Sequence, residues 1–305
     1  MVLSIGEILV DIFKSEDKKE VFAGGAPFNV ACNIIRFNGD VSFYGAVGND
    51  SYGDFLINYA KKKSSHFFVK RINNCYTSQA MVTVVDGERS FKFVRDQGAD
   101  YDLDINDLNH FDFAKLKIVH VGSLMLSCKE GREFFDASID YIRRHSNALV
   151  SFDVNYRDDI FSNPEEAKNI FLNALQKADV IKFTEEELEL LTGLKSIEQG
   201  LKQLLSDKQL AVVTLGKEGS VFYKNGKYIK VPSYPLKPVD TTGAGDAFYS
   251  YFLYALDKGL DLNDDSAIKD TLLRANVVGG LATQKKGAID VAPNLEEIDK
   301  FISNH

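Results

Sequence analysis

The segment DTTGAGDAF at 240–248 places two glycines between two aspartates, just ahead of an apolar run with the pattern of a helix. Gly243, Ala244 and Gly245 would supply the first free amide groups of that helix, and such a helix start binds anions. Asp246 is unfavourable for binding phosphate alone, but a carboxylate there can take a proton while negative charge develops beside it. An isolated GxGD also fits a simple glycine-rich turn. The nine residues together predict phosphoryl transfer to a hydroxyl group, with Asp246 as the general base.

A second glycine-rich segment, GGAPFNVA at 24–31, predicts another helix start close to a ligand. Its two glycines allow the backbone to approach a ligand closely, and Pro27 suits the first position of a helix. Asn29 would face back toward the turn. On the residues alone, the segment is no more specific than a helix start.

Predicted strands and predicted helices, which must position these segments, alternate along the chain from about residue 100 onward. Apolar runs predict buried strands at KIVHVGS, ALVSFDVN, DVIKF and LAVVTLG, and segments such as EGREFFDASIDYIRRH, PEEAKNIFLNALQKA and EEELELLTG predict helices. Strands that are apolar at nearly every residue are typical of a parallel sheet covered by helices on both faces. The predicted fold class is therefore α/β, with polar residues at the C-terminal ends of the strands lining a ligand crevice.

Two stretches, at about 11–23 and 76–98, interrupt this rhythm and predict strands without helices. The second contains TSQAMVTVVDGERSFKFVR, which predicts a hairpin that turns at Asp86-Gly87. A small sheet inserted in this way would act as a lid over the crevice or pair with another subunit. No repeat or Pro-rich linker is present, so we expect residues 1–305 to form a single domain with both lid segments inserted in its core.

The composition argues against several other classes of protein. A net charge of −8 leaves no excess of basic residues to bind nucleic acid or anionic lipid, and no apolar run is long enough to cross a bilayer. The N-terminus lacks a secretory signal, and Cys32, Cys75 and Cys128 match no zinc or disulfide pattern, so we expect reduced thiols and a cytoplasmic protein. No GxGxxG follows the first strand and no Walker motif is present, which argues against a dinucleotide-dependent oxidoreductase and a P-loop NTPase.

Taken together, these segments resemble the PfkB, or ribokinase-like, family of carbohydrate kinases along nearly the whole chain. GGAPFNVACNIIRFNG is similar to the first signature of that family and DTTGAGDAF to its second, while HVGSLML, DVNYRDD, KFTEEELELLTG and TLGKEGS are similar to further segments. The resemblance implies a ribokinase-like three-layer α/β/α core with a mostly parallel sheet and a small β-sheet lid. It also implies an ATP-dependent kinase for a primary hydroxyl group of a small sugar, with Mg²⁺ carried by the nucleotide and a potassium-like ion, K⁺, beside the anion hole.

The resemblance also assigns candidate roles outside the catalytic turn. The sugar would be held by Asp11, Gly25, Asn29, Arg95 and Arg157. The nucleotide side would use Lys182, Glu185, Thr214, Gly216, Gly219 and Asn276. The monovalent cation would lie near Asp240, Thr242 and Gly287. The residues alone also allow simpler interpretations. Asp11 could equally be a solvated carboxylate at the end of the first strand, and TLGKEG a plain turn. Either arginine could equally form a surface ion pair. His120 is expected to be a hydrogen-bonded core residue.

Among sugars, the resemblance favours fructose, because GGAPFNVA, FKFVRDQGAD and HVGSLMLS look most like the corresponding segments of fructokinases. 2-Keto-3-deoxygluconate is the alternative, since DVNYR and Lys182 also suit kinases of that acid, although Phe91 and Phe93 stand where their lid usually has tyrosines. A catalytically silent sugar- or nucleotide-binding regulator is the alternative from another class. Pairing of the lids would make the protein a homodimer.

Overall fold

The computed structural model describes residues 1–14, 19–85, 88–161 and 163–305, and of residues 82–85 and 88–91 it describes the backbone. The strands of this described part are β1 (Val2–Ile5), β2 (Leu9–Lys14), β3 (Lys19–Gly24), β4 (Val41–Gly48), β5 (Phe67–Ile72), β6 (Gln79–Val85), β7 (Glu88–Val94), β8 (Ile118–Val121), β9 (Leu149–Asp153), β10 (Val180–Thr184), β11 (Leu210–Thr214), β12 (Ser220–Lys224) and β13 (Lys227–Val231). The α-helices are α1 (Ala26–Arg36), α2 (Ser51–Lys63), α3 (Lys129–His145), α4 (Pro164–Leu175), α5 (Glu185–Thr192), α6 (Ile197–Leu204), α7 (Ala244–Asp257), α8 (Asp265–Ala282) and α9 (Leu295–Ser303).

Nine strands form one large sheet in the order β13-β12-β11-β10-β9-β8-β1-β4-β5. The strands from β11 to β5 in this order pair in parallel, and the β12–β13 hairpin adds two antiparallel strands at one edge. Parallel strands start and end at the same edges, so the loops that follow them gather at one side of the sheet. The predicted mostly parallel sheet is confirmed.

Helices cover both faces of this sheet, which produces two hydrophobic cores. Helices α1, α2, α7, α8 and α9 pack on one face with strand residues such as Val2 and Val180. Helices α3, α4, α5 and α6 pack on the other face, where the next residues along the same strands, Leu3 and Ile181, point. Alternate residues of a strand face opposite sides of a sheet, so strands buried on both sides must be apolar throughout. The three-layer α/β/α core predicted from the apolar runs is confirmed.

Four strands form a second, smaller sheet, which corresponds to the predicted lid, in the order β3-β2-β6-β7. Strands β2 and β6 are parallel, whereas β3 and β7 each pair antiparallel with their inner neighbour. The β6–β7 pairing agrees with the predicted hairpin, while its turn at Asp86-Gly87 lies outside the described residues. No helix within the described ranges is both long enough and apolar enough to span a membrane.

The first apolar run of the sequence divides between the two sheets. Gly6 follows β1 with a backbone φ of 144°, and a Cβ there would lie 2.7 Å from Cγ of Pro27. This position therefore requires glycine, and it turns the chain out of the large sheet and into β2 of the small sheet. Asp11 is consequently a residue within a lid strand. Its predicted place at the end of the first strand is wrong, because MVLSIGEILVDIF contains two strands.

Candidate active site

A cleft of about 1030 Å³ lies where the loops after the parallel strands meet the small sheet. Its walls include the starts of helices α1 and α7, the ends of β9 and β10, and lid residues of β2, β6 and β7. The wall residues that bear on chemistry are Glu7, Asp11, Gly25, Asn29, Asn155, Arg157, Lys182, Glu187, Thr242, Gly243, Gly245 and Asp246. The large sheet thus brings together segments that are more than two hundred residues apart in the sequence.

The start of helix α7 forms one end of the cleft. Gly243 caps this helix in a left-handed conformation with φ 74°, and among the described residues no side chain caps the helix start. A Cβ on Gly243 would lie 2.6 Å from Cβ of Ala288, so both conformation and space require glycine here. The amide group of Ala244, which the sequence predicts to be free, instead donates a hydrogen bond of 3.2 Å to the carbonyl oxygen of Thr241. Within the described residues, the amide groups of Gly245 and Asp246 have no backbone partner and remain available to an anion in the cleft.

Asp246 lies in the first turn of α7 and is held by the start of α1. Nδ2 of Asn29 donates a hydrogen bond of 2.7 Å to Oδ2 of Asp246. Burial raises the pKa of Asp246 above its usual range, and the negative charge of Asp153 raises it further, although the bond from Asn29 lowers it. A carboxylate with a raised pKa accepts a proton more readily than an ordinary aspartate. The geometry is therefore suited to a general base that one hydrogen bond orients.

A buried ion pair lies directly beneath the helix start. Nζ of Lys182 on β10 is 2.9 Å from Oδ1 of Asp153 on β9, and each side chain is only 4% exposed. A Cβ built on Gly245 would lie 3.4 Å from Nζ of Lys182, which places the ammonium group next to the first turn of α7. Burial lowers the pKa of Lys182, but Asp153 and Glu187 together raise it above its ordinary value. The lysine therefore carries a fixed positive charge at the anion hole.

The acid that faces this lysine is Glu187, whereas the predicted Glu185 lies outside the cleft wall, and its role toward magnesium stays a prediction. Glu185 is the first residue of α5 and is exposed, whereas Glu187 is buried and lines the cleft. Oxygens of the Glu187 carboxyl group accept hydrogen bonds from the amide groups of Thr184, at 2.7 Å, and Tyr156, at 2.9 Å. Glu187 occupies the third position of a capping box that begins at Thr184. A helix turns by about 100° per residue, so two residues separate an outward from an inward side chain.

Asp11 and Gly25 form the wall between the lid and helix α1. Asp11 is 6% exposed, and burial raises its pKa to about 7, with a further contribution from the charge of Asp246. Gly25 caps α1 with φ 108°, and a Cβ there would overlap the backbone of Glu7. Pro27 is the second residue of α1, one position after the predicted first position, because the helix already begins at Ala26. The predicted sugar residues Asp11, Gly25 and Asn29 are thus neighbours in one wall.

The two candidate arginines have different environments. Arg157 is exposed on the cleft wall, where its guanidinium group donates one hydrogen bond, of 3.2 Å, to the carbonyl oxygen of Tyr156. Arg95 is not part of the wall: it forms an ion pair of 2.5 Å with buried Asp100. It also donates to the carbonyl oxygen of Leu124 and the hydroxyl group of Ser127. The prediction that Arg95 contacts the sugar is wrong for this structure, since its donors are used within the protein.

The remaining nucleotide candidates lie outside the wall of the cleft, further along the same edge of the sheet. Thr214 ends β11 and pairs with Thr184 at the end of β10, and Gly216 and Gly219 follow it with φ of 54° and 104°. A Cβ on Gly219 would overlap the chain at 231–232, and Nδ2 of Asn276 donates to the carbonyl oxygens of these same residues at 3.3 Å. The structure therefore brings these candidates together at one end of the sheet. Their assignment to the nucleotide stays a prediction.

The candidates for a monovalent cation meet through one carboxylate. Oδ1 of Asp240 accepts a hydrogen bond of 2.9 Å from the amide group of Thr242, and Oδ2 accepts one of 3.1 Å from the amide group of Gly287. Asp240 thus joins the loop before α7 to the loop after α8. Within the described residues, no group of three or more Asp, Glu, His or Cys side chains forms a metal cage.

From the sequence, no role is predicted for three of the wall residues that bear on chemistry, Glu7, Asn155 and Glu187. The same is true of Asp153, which pairs with Lys182 but is not among the wall residues. Glu187 had a detectable signal, because Thr184-x-x-Glu187 fits the capping-box pattern. Asp153 and Asn155 lie in the quoted DVNYR segment, at a predicted strand end, but which of its polar side chains face the crevice depends on the local backbone. His120 is buried and hydrogen-bonded to Oγ of Ser151 at 3.1 Å, in agreement with its predicted place in the core.

A helix start rich in free amide groups, a carboxylate with a raised pKa and a fixed ammonium group define an α/β enzyme of the phosphotransferase class. The pfkB family carbohydrate kinase domain matches residues 1–295. The chain therefore belongs to the PfkB family and is a carbohydrate kinase with an alcohol group as acceptor.

The relatives of this chain include plant and bacterial fructokinases. It is 34% identical to probable fructokinase-5 of Arabidopsis thaliana, with 100% of this chain and 98% of that protein covered. It is also 34% identical to a fructokinase of Vibrio alginolyticus, with 97% of each chain covered. A solved structure of a double mutant of Vibrio cholerae O395 fructokinase, with fructose, ADP and a potassium ion bound, has a TM-score of 0.87 at 35% identity, covering 98% of this chain and 97% of that one.

Proposed function

We propose that this protein is an ATP-dependent fructokinase that transfers the γ-phosphoryl group of ATP to the 6-hydroxyl group of fructose. The observation that carries the proposal is the position of Asp246, whose carboxylate lies in the first turn of α7 and is oriented by Asn29 at 2.7 Å. Fructokinases match this chain over nearly its whole length, and one solved relative binds fructose and ADP. Kinase chemistry and the sugar are therefore supported by separate observations.

In the proposed mechanism, Asp246 takes the proton of the sugar hydroxyl group. The freed oxygen forms a bond to the γ-phosphorus, and the bond from that phosphorus to the bridging oxygen breaks, so that ADP leaves. The amide groups of Gly243, Gly245 and Asp246 would donate to the oxygens on which charge develops, while that of Ala244 is bonded to Thr241. The ammonium group of Lys182, next to Gly245, would stabilise the same charge. Lys182 is paired with buried Asp153 at 2.9 Å, and its ammonium group also lies next to the first turn of α7, where the charge would develop.

We assign the sugar to the wall of the cleft formed by Asp11, Gly25, Asn29 and Arg157. The apolar residues Leu9, Ala80, Leu124 and Phe93 cluster at the same end and would pack against carbon atoms of the ring. A neutral sugar suits this end better than a keto acid, because Arg95 is already paired with Asp100. The carboxylates that line the cleft would also repel an anionic sugar.

The nucleotide would lie along the sheet edge from Lys182 toward Thr214, Gly216, Gly219 and Asn276. Mg²⁺ carried by the nucleotide would supply positive charge that offsets the phosphate groups during transfer. Glu187 fits a role toward that ion, since a carboxylate is the type of ligand that Mg²⁺ prefers, and it takes the place that the sequence assigned to Glu185. Asp240, Thr242 and Gly287 would organise a K⁺ site between two loops, whose oxygen donors suit such an ion.

We further propose one kinase domain for residues 1–305, in which the small sheet closes over the sugar. Closure would exclude water that otherwise accepts the phosphoryl group. The outer strands β3 and β7 leave edges of the small sheet through which two subunits could form a homodimer. A cytoplasmic location fits the supply of ATP and the free cysteines among the described residues.

The test is release of ADP by the purified protein with ATP, Mg²⁺ and K⁺. Fructose, 2-keto-3-deoxygluconate, ribose, glucose and adenosine are compared with a blank that contains no sugar. Asp246→Asn is assayed in parallel, and thermal unfolding with ADP checks that this variant still folds and binds nucleotide. We expect turnover with fructose, and a loss of about 10²–10⁴-fold in kcat for the variant, as for removal of a general base.

Turnover with the keto acid alone would refute fructose while keeping the mechanism. Asp246→Asn with kcat close to wild type would refute the role of the base. Absence of turnover with every sugar, from folded protein that binds ADP, would favour the silent regulator.

A further inference from the structure

The carboxyl group of Glu7 is a buried group of the cleft wall that the mechanism above does not use. Glu7 is 0% exposed, and within the described residues neither of its carboxyl oxygens has a hydrogen-bond partner. It lines the same cleft as Asp11, Asn29 and Asp246. A buried polar group without a partner costs stability, so a wall that keeps one needs a reason other than folding.

The surroundings of Glu7 are built to leave room for its side chain. A Cβ on Gly122, after β8, would lie 2.5 Å from Oε2 of Glu7 and would also overlap Pro27 at the start of α1. Any larger residue at 122 would displace the carboxyl group. Glu7 also lies in the short link between core strand β1 and lid strand β2. A rotation of the small sheet relative to the large sheet would therefore move this residue.

Asn29 is a second wall residue with a buried polar atom that has no hydrogen-bond partner among the described residues. Its Nδ2 donates to Asp246, while its Oδ1 is buried without a partner among the described residues. The other residues with such atoms, Asn33, Arg36, Ser123 and Ser220, do not belong to the wall of the cleft. Unpartnered acceptors in the wall thus occur on Asn29, which we assign to the sugar, and on Glu7.

We propose that the Glu7 carboxyl group determines specificity by binding one hydroxyl group of the sugar at the base of the cleft. This inference rests on the proposed sugar kinase function. Closure of the lid moves the link at residues 6–8 and brings the carboxyl oxygens to the sugar. Burial raises the pKa of Glu7 to about 8, against the lowering effect of its own amide group. The neutral acid both donates and accepts a hydrogen bond, which matches a hydroxyl group.

An anion or a metal ion would fit the Glu7 carboxyl group less well than a hydroxyl group. An anion would face the charges of Asp11 and Asp246 in the same cleft. A metal ion would need several ligands, and no group of three or more such side chains occurs in the described ranges. A hydroxyl group needs neither a charge nor further ligands.

The test uses Glu7→Leu and Glu7→Gln, with Asn33→Leu as the matched control. Asn33 is 0% exposed and both of its side-chain polar atoms lack partners, but it lies outside the cleft wall. We measure KM for fructose, KM for ATP and the thermal unfolding midpoint with and without fructose. Glu7→Leu should raise KM for fructose about tenfold or more and abolish the shift of the midpoint by fructose, while KM for ATP stays within about twofold.

The unfolding midpoint of Glu7→Leu without sugar should equal or exceed that of wild type, because an unpartnered buried group has been removed. Asn33→Leu should leave KM for fructose unchanged. A lower midpoint for Glu7→Leu, together with a normal KM and a normal shift by fructose, would overturn the inference and give Glu7 a structural role.

A series of monodeoxyfructoses keeps the inference testable if Glu7→Leu does not fold. One of these analogues should lose about tenfold or more in kcat/KM with wild type, and Glu7→Gln should shrink that penalty. An unchanged penalty in Glu7→Gln for every analogue would refute the inference. Wild type that phosphorylates another sugar and not fructose would refute the proposed function, and the same variants assayed with that sugar still decide the role of Glu7.

Discussion

Replacement of Lys182 by methionine separates the structural from the catalytic role of the buried ion pair. Lys182 and Asp153 are each 4% exposed and 2.9 Å apart, and Glu187 and Asp246 are further carboxylates close to the ammonium group. Removal of one partner of a buried pair leaves an uncompensated charge and costs about 3–5 kcal/mol. That cost is a large part of the about 5–15 kcal/mol by which a typical domain is stable. Lys182→Met should therefore unfold at a clearly lower urea concentration than wild type.

The same substitution should also slow phosphoryl transfer. The ammonium group lies under Gly245, and loss of one donor from an anion hole costs about 10²–10³-fold in kcat. Because Lys182 lowers the pKa of Asp246, its loss should also move the acidic limb of the pH–rate profile upward. Release of ADP under saturating fructose, from pH about 5 to 9, measures both effects.

The double variant Lys182→Met/Asp153→Leu is the decisive comparison. It removes both charges and fills the space with apolar atoms, and such replacements are often neutral or stabilising. We expect it to regain most of the stability lost in Lys182→Met without regaining kcat. Recovery of kcat along with stability would refute a direct role of the ammonium group at the phosphoryl group. A single variant as stable as wild type would refute the energetic reasoning.

Three further predictions follow from the geometry of the cleft and its wall. Glu187→Gln should lower kcat/KM about tenfold, or about 1.4 kcal/mol, because its charge faces the cleft, whereas exposed Glu185→Gln should change it less than about twofold. Gly243→Ala should cost about 1–3 kcal/mol in urea unfolding, since alanine must take φ 74° and meet Ala288, and it should weaken ATP binding. Between pH 4.5 and about 8, Glu7 loses its proton in the unfolded chain but keeps it in the folded protein, so the free energy of unfolding of wild type falls as pH rises. Glu7→Gln has no such proton to lose. Over this range, its free energy of unfolding should therefore rise relative to that of wild type by up to about 1.4 kcal/mol per pH unit.

The catalytic turn and the core could be predicted from the sequence because their signals are local. DTTGAGDAF contains both the residues that form the helix start and the carboxylate, and the apolar runs specify strands buried on both faces. Glu187 carried a local signal that the prediction did not use, because the capping box from Thr184 places the third residue of α5 inward. Sequence spacing alone gives no direction until the helix start is located.

Arg95 and Glu7 depend on information that the sequence does not contain locally. Arg95 is an ion-pair residue because Asp100, five residues later, folds back onto it, and Leu124 and Ser127 come from a different part of the chain. The burial of Glu7 depends on Gly122 and Pro27, which lie on separate elements. Division of the first apolar run between two sheets also needed the structure, since a turn at Gly6 interrupts a continuous apolar pattern.

The distribution of charge in the cleft links these observations to the order of events in catalysis. Carboxyl groups outnumber the two cationic groups that line the cleft, Arg157 and Lys182, and burial raises the pKa of Asp11, Glu7 and Asp246. A site of this kind repels free phosphate and accepts the nucleotide best when Mg²⁺ offsets its charge. A neutral sugar would meet no such barrier, and under our proposal its hydroxyl groups would pair with the unpartnered atoms of Glu7 and Asn29. We therefore expect the wall to select for hydroxyl groups, and the anion hole to act fully only with a nucleotide that carries its own metal ion.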